Sequence, residues 1–414
     1  MASSENSHVC RFCEAQLEET FIDLGISPLS NSYLMQEDLS KKEIFYPLHT
    51  RICQNCFLVQ LPEFETPENI FTDYAYFSSF SESWLQHCSK YTEEMLQRFA
   101  INPNWNVIEI ASNDGYLLQY FKEKNIPVLG IEPAENIAKV AREKGIPTES
   151  VFFGKATAKR LRAEGQQAHL LIANNVLAHV PNLNDFVAGL KILLAEQGVL
   201  TIEFPHLLKL IQENQFDTIY HEHFSYFSLL TAQKVFAKHQ LTIFDVEEVP
   251  VHGGSLRIFV KQNNNKNHTE TSRVEKLLAE EKKFGLDKIE TYQKFAANIE
   301  KLKYELLEFM IQAKKSGKKI AGYGAPAKGN TLLNYCGINT DFVSFTVDKS
   351  PHKQNRYLPG TRIPIFHPDK IKIEKPDYLF VLPWNLKNEI LEQMAFIKEW
   401  KGKFILSIPQ LQII

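Results

Sequence analysis

No apolar run in the chain approaches the ~18–20 residues that cross a bilayer, so a membrane span is not expected. A surplus of one charge is also lacking. Lys and Arg number 46 against 49 Asp and Glu, a net charge of −3, which gives no general attraction for nucleic acid or anionic lipid. The first residues, Met1-Ala2-Ser3-Ser4-Glu5-Asn6-Ser7-His8, lack the apolar centre of a secretory signal, and a cytoplasmic location is the expectation. The dinucleotide fingerprint G-x-G-x-x-G is absent too. Cysteine is scarce, six in 414 residues. What remains, 44% apolar and 23% charged residues, is the composition of a soluble globular protein, long enough for two or three domains.

The few cysteines are grouped. Cys10/Cys13 and Cys53/Cys56 form two C-x-x-C pairs, each with the spacing of a knuckle whose thiolates face one metal. Together they complete a tetrahedral site of four thiolates with no position left for water, so the zinc is expected to be structural. The gap between the pairs is long enough to hold its own hairpin. Disulfides are the competing explanation, but a cytosolic setting opposes them. Cys88 and Cys336 stand alone and are expected to be buried thiols.

From Trp105 the pattern becomes β/α. Asn106–Ile110 reads as a buried strand, Ala111-Ser112-Asn113-Asp114-Gly115 as a tight turn into the helix Tyr116–Glu123, and Val128–Ile131 as a second strand ending in Glu132. A glycine-containing turn after strand one and an acid after strand two is the nucleoside-binding arrangement of a doubly wound sheet. Without the fingerprint, a phosphate-free nucleoside such as S-adenosylmethionine fits better than a dinucleotide. His169–Ala173 is a further strand, and Asn174–Val180 lies at its carboxyl end. Val199–Phe204 follows, closed by Pro205-His206.

Soon afterwards comes Tyr220-His221-Glu222-His223-Phe224-Ser225-Tyr226. Two imidazoles, a carboxylate and two phenols in seven residues suit the mouth of an α/β site. Three readings compete: a solvated loop, a metal held by His221 and His223 two residues apart, and general acid–base work by an imidazole of ordinary pKa about 6.5.

A long charged stretch from about Ser272 to Lys315 reads as helix. A second β/α unit opens at Lys318–Gly324. Its turn, Gly324-Ala325-Pro326-Ala327-Lys328-Gly329-Asn330-Thr331, is not a phosphate loop, because Asn330 stands where lysine is required. A Gly-rich turn at a helix N-terminus can still receive a diphosphate through backbone N–H groups. Phe342–Val347 is a strand ending in Asp348 at the ribose position. Tyr378–Leu382 is another, followed by Pro383-Trp384-Asn385, where Trp384 offers a ring to a base. The other reading of this third is a degenerate Rossmann-like domain used only for packing.

The paired C-x-x-C module, E-I-x-S-N-D-G at Glu109–Gly115, Y-H-E-H-F-S-Y, H-G-G-S-L-R at His252–Arg257 and G-Y-G-A-P-A-K-G-N-T resemble, in the same order over nearly the whole chain, the nucleotide-sugar C-methyltransferases that act on dTDP-linked keto-deoxyhexoses. The resemblance implies an α/β chain of three parts. These are a zinc-binding module at 1–72, a class I, Rossmann-like methyltransferase domain at 73–248 and a Rossmann-like nucleotide-sugar domain at 249–414. It implies zinc on Cys10, Cys13, Cys53 and Cys56, and S-adenosylmethionine against Glu109, Ser112, Asn113, Asp114, Gly115, Glu132, Asn174 and His179. His223 corresponds to the base that makes a sugar enolate beside a C4 ketone, with Tyr220, Glu222 and Tyr76 around it and C3 favoured over C5. Tyr74, Ser79 and His221 approach the sugar. Gly324, Lys328, Asn330, Thr331, Asp348, Trp384 and Asn385 face the dTDP. The chain departs from the family at Ala111, where glycine is frequent; alanine is tolerable there if φ is negative. Sugar O-methylation and a zinc-ribbon nucleic-acid-binding protein are the alternatives, and a monomer or weak oligomer is expected.

Overall fold

A computed structural model describes residues 9–67, 78–80 and 82–414. Three sheets organise them. The first begins with β1 (Glu19–Ser27), β2 (Tyr46–Ile52) and β3 (Val59–Gln60), the hairpin expected between the cysteine pairs plus one short strand. Its fourth strand comes from far away. β3 pairs antiparallel with Ser225–Tyr226, the end of the His-rich segment.

The second sheet contains β4 (Val107–Ile110), β5 (Val128–Ile131), β6 (Thr148–Glu149), β7 (Ala168–Ile172) and β8 (Leu194–Pro205). With Ser225–Tyr226 counted as β9, it is completed by β10 (Leu241–Val249) and β11 (Ser255–Gln262), in the order β10-β11-β8-β7-β4-β5-β6. Only β11 runs against its neighbours, giving the class I methyltransferase sheet. Alternate burial fails in β4, whose four residues are all buried, as expected for a strand covered on both faces. The sheet does not stop at residue 248: β11, beyond that boundary, is inserted between β10 and β8.

The third sheet has the order β14-β13-β12-β15-β16-β17, formed by β12 (Ile320–Tyr323), β13 (Thr346–Val347), β14 (Ile365–Phe366), β15 (Tyr378–Val381), β16 (Lys403–Leu406) and β17 (Gln412–Ile413). It is parallel except at β17. The strand order reverses between β12 and β15, which opens a crevice at their carboxyl ends. The strand expected over 342–347 keeps only its last two residues.

The helix expected over 272–315 is two helices, Ser272–Phe284 and Ile289–Lys315. Gly285 breaks it with φ of +100°, a conformation that costs glycine little. The second helix has a solvated charged side, but it also buries Tyr292, Phe295, Ile299, Leu302, Leu306, Met310 and Ala313. Phe295 stacks on Phe21 of β1, ring centroids 4.8 Å apart. Ahead of β4 lies the helix Glu82–Arg98, which buries Trp84, Cys88, Tyr91, Thr92 and Met95.

Candidate functional site

Both cysteine pairs fold alike. Glu14 N–H donates to the Cys10 carbonyl and Phe57 N–H to the Cys53 carbonyl, each at 2.9 Å. Glu14 and Phe57, each following the second cysteine of its pair, have φ of 64° and 65°. The four sulfurs lie within 4.8 Å of one another. Cys10 and Cys56 Sγ are 3.6 Å apart, and Cys13 and Cys53 Sγ 3.5 Å. A zinc ion at about 2.3 Å from each thiolate needs sulfurs roughly 3.8 Å apart, so the donor set fits. Gln60 Nε2 donates to Cys10 Sγ at 3.2 Å, an outer bond that steadies a ligand.

The turn after β4 is wound left-handed at three of five residues: Ala111 at φ 57°, Asn113 at 49° and Gly115 at 76°. This corrects the expectation for Ala111, whose φ is positive. Its methyl sits where glycine costs least. Ser112 Oγ, Asp114 Oδ1 and Asn174 Oδ1 are buried here with no partner among the described residues, as polar atoms awaiting a polar ligand are. Glu132 accepts the N–H of Asn113 and of Ala134, each at 3.0 Å, and burial pushes its carboxyl up to about 7. Burial likewise holds Glu109, beside the Tyr116 hydroxyl, well above the carboxylate range. Ser79 was expected near the sugar. Its hydroxyl instead donates to Asp114 Oδ2, while Ser78 N–H donates to Asn113 Oδ1 at 2.9 Å. Tyr74 and Tyr76 lie outside the described residues.

His223 is buried, with Nδ1 2.8 Å from the Thr218 carbonyl. A carbonyl only accepts, so the neutral ring carries its proton on Nδ1 and leaves Nε2 as a proton acceptor. Burial, with His179, Lys328 and His252 nearby, holds its pKa well below 6.5. Tyr220 lies against it, ring centroids 4.0 Å apart, and His179 meets it edge-on at 4.7 Å. His179 was expected at the cofactor; the structure sets it against His223, its own pKa lowered by burial to about 4. His221 points elsewhere. Its Nε2 is 3.2 Å from the Pro47 carbonyl, and its ring abuts Tyr46 and Phe64 of the cysteine-bearing module. Its partners are therefore those of the cysteine-bearing module, whereas His223 is held by Thr218. Glu222 accepts from Asn31 Nδ2 at 2.6 Å, so the same module braces the segment twice.

On the C-terminal side, two residues expected at the nucleotide have side chains bonded to distant chain segments. Asn330 Nδ2 donates to the Ser30 carbonyl, and Thr331 Oγ1 donates to the Ile219 carbonyl at 3.0 Å. Both residues are buried and act as fasteners between chain segments. Asp348 accepts the N–H of Ala325 at 2.7 Å and of Ser350 at 2.8 Å, repeating the role of Glu132 in the other sheet. Gly324 has φ of 89°, and a Cβ there would meet Pro383 at 2.6 Å. Lys328 Nζ donates to the His252 carbonyl at 3.2 Å and lies 4.9 Å from the Trp384 ring centre. Burial lowers its pKa, against the pull of Asp217. Trp384 is nearly buried, so its ring is packed between domains. Asn385 is half-buried in the same turn, Trp384–Leu386.

Four groups were given no role by the sequence reading. Asp217 and Thr218 lie in the turn Phe216–Thr218, whose plain composition gives no signal. His252 adopts φ of 56° and lies 5.2 Å from Trp84, ring to ring; its place before two glycines was the available clue. Buried Glu203 accepts from Arg257 Nε at 2.7 Å and lies 3.0 Å from His87 Nε2. Although burial pushes its carboxyl up, the hydrogen bond with His87 and the Arg257 guanidinium hold it below the ordinary range.

A nucleoside-type turn on a class I methyltransferase sheet, beside a neutral buried imidazole and a four-thiolate zinc module, defines a zinc-stabilised, S-adenosylmethionine-dependent methyltransferase. Family models match along the chain: a zinc-binding domain at 10–71, a methyltransferase domain at 82–246 and a C-methyltransferase C-terminal domain at 250–409. C-methyltransferase NovU of Streptomyces niveus is 34% identical over 405 residues, 98% of this chain and 96% of that protein. Among solved structures, the PH0226 protein of Pyrococcus horikoshii overlays 48% of this chain and 99% of its own at 14% identity and TM-score 0.37. Magnesium protoporphyrin IX methyltransferase of Synechocystis overlays 43% and 83% at 14% identity and TM-score 0.35. The chain belongs to the C-methyltransferase family, on the strength of the full-length relative.

Proposed function

We propose that the protein methylates carbon, C3 in preference to C5, of a dTDP-4-keto-deoxyhexose in deoxysugar biosynthesis in the cytoplasm, with His223 as the base. The observation that carries this reading is the Nδ1–Thr218 bond, because it commits Nε2 to accepting a proton. S-adenosylmethionine, held over Ser112, Asp114, Glu132 and Asn174, supplies an electrophilic methyl group. A carbon–hydrogen bond next to a ketone is far less acidic than imidazolium, so the enolate oxygen has to be stabilised as its charge forms. Tyr220, against the base, is the donor for that oxygen. His223 Nε2 takes the proton, and its low affinity for a proton returns the ring to the neutral form between turnovers. The nucleotide sits in the crevice between β12 and β15, its diphosphate at the N-terminus of the helix Ala327–Cys336, with positive charge from Lys328 and from Lys353, whose Nζ donates to the Ala325 carbonyl at 2.9 Å.

A panel of dTDP-4-keto-deoxyhexoses with labelled S-adenosylmethionine, the methyl located by NMR, tests this. Label on oxygen would make the protein an O-methyltransferase, and no transfer to any keto-sugar would remove the substrate class.

A further inference from the structure

The turn that orients the base is fastened from outside the methyltransferase sheet. Trp384 Nε1 donates to Asp217 Oδ2 at 2.7 Å, and Thr331 Oγ1 to the Ile219 carbonyl at 3.0 Å. From the turn itself, Gln215 Nε2 donates to the Gly253 carbonyl at 2.6 Å. Between these ties lies Thr218, whose carbonyl receives Nδ1–H of His223. Asp217 is fully buried, and its Oδ1 has no partner among the described residues; Lys328 provides the facing charge. A buried carboxylate is a costly way to hold a turn that an apolar side chain could pack. Gly253 is fitted to the same contact, since a Cβ there would meet Trp384 at 2.5 Å.

We infer that the C-terminal domain positions the catalytic base: Trp384 and Thr331 hold the Phe216–Ile219 turn, and through the Thr218 carbonyl they fix the Nδ1–H form of His223. Thr331 and Lys328 stand on the helix Ala327–Cys336, whose N-terminus faces the nucleotide crevice. One rigid element therefore serves both substrate holding and base orientation. This inference rests on His223 being the base, and Trp384 and Thr331 are positioning residues that touch no reacting atom.

Three variants test it. Trp384→Phe keeps a ring and loses the N–H; Thr331→Val keeps the shape and loses the hydroxyl; Thr331→Ser keeps the hydroxyl. Each is assayed for deuterium exchange at the acidic carbon of the keto-sugar without S-adenosylmethionine, for kcat and KM, and by ¹⁵N NMR of the His223 ring. Trp384→Phe and Thr331→Val are expected to lower exchange and kcat by about 10–10²-fold, the scale of a misplaced reacting group. KM for S-adenosylmethionine should stay unchanged, and the ring should become a mixture of tautomers. Thr331→Ser should restore exchange and the single tautomer. Wild-type exchange with one tautomer in both loss variants overturns the inference, as does a change confined to KM for the sugar nucleotide. Thr331→Val carries the test alone should Trp384→Phe fail to fold. His223→Asn is run alongside. If it still exchanges, the base assignment has failed; if it alone stops, only the positioning has.

Discussion

The role proposed for His223 rests on its surroundings, since a sequence holding two histidines in Tyr220–Tyr226 does not separate them. The structure does so by partner: one ring is pinned at Nδ1 to Thr218, the other reaches away to Pro47. His223→Asn is expected to cut turnover and proton exchange by about 10²–10⁴, with S-adenosylmethionine affinity near wild type; His221→Asn should cost less. Equal losses in a side-by-side exchange assay would contradict the assignment. The pH dependence has a definite sign. As the proposed base, His223 must be neutral, and burial lowers its pKa well below 6.5. Exchange should therefore persist as pH falls through 6.5 and decline only further down; an acid limb centred at or above 6.5 in a pH–rate profile would be inconsistent. At Ala111 the sequence showed the departure from glycine, but not its φ. With φ at 57°, Ala111→Gly is expected to raise stability by roughly 1 kcal/mol, read as an upward shift in urea midpoint. No shift, or a fall, would mean that glycine's extra freedom in the unfolded chain cancels the relief.

At the scale of elements, what was legible followed from period and punctuation. The cysteine pairs, the Asn113-Asp114-Gly115 turn, the acids ending β5 and β13, and the buried strands all announce themselves locally. Elements defined by distant pairing do not. β9 is two residues long and earns its place only by pairing with β3; β11 looked like the start of a new domain and closes the old one. Asn330 and Thr331, set at the nucleotide by the family resemblance, have side chains bonded to Ser30 and Ile219, partners that no local pattern announces. β9 gives the zinc a reach beyond its own module, because this strand, paired to β3, begins two residues after His223. Cys53→Ser should therefore lose the metal and lower the melting temperature. Proton exchange should fall as well, although the zinc does no chemistry. Elemental analysis, a melting curve and the exchange assay check this together; full exchange in zinc-free protein would uncouple the module from the site.

Across the whole molecule, one helix joins the parts that composition alone would separate. Ile289–Lys315 starts beside the zinc module, where Phe295 lies flat on Phe21 and Tyr292 meets the same ring edge-on at 6.0 Å. It ends five residues before β12. All three rings are fully buried, and Asn330, Thr331 and Trp384 add polar ties from the C-terminal sheet to the other two parts. Chains of this length commonly unfold domain by domain. Here the buried contacts run through all three sheets, so loss of one part strips cover from the next. Urea unfolding is expected to show zinc release and tryptophan fluorescence changing at one midpoint. The four tryptophans lie in the methyltransferase and C-terminal parts, at 84, 105, 384 and 400, and so report the parts of the chain outside the zinc module. Phe295→Ala should move both midpoints down together, by about 3–5 kcal/mol for a large ring deleted from a core. Zinc release that moves in this variant while fluorescence stays put would show that the module unfolds alone, and that the long helix packs against it without coupling it to the rest.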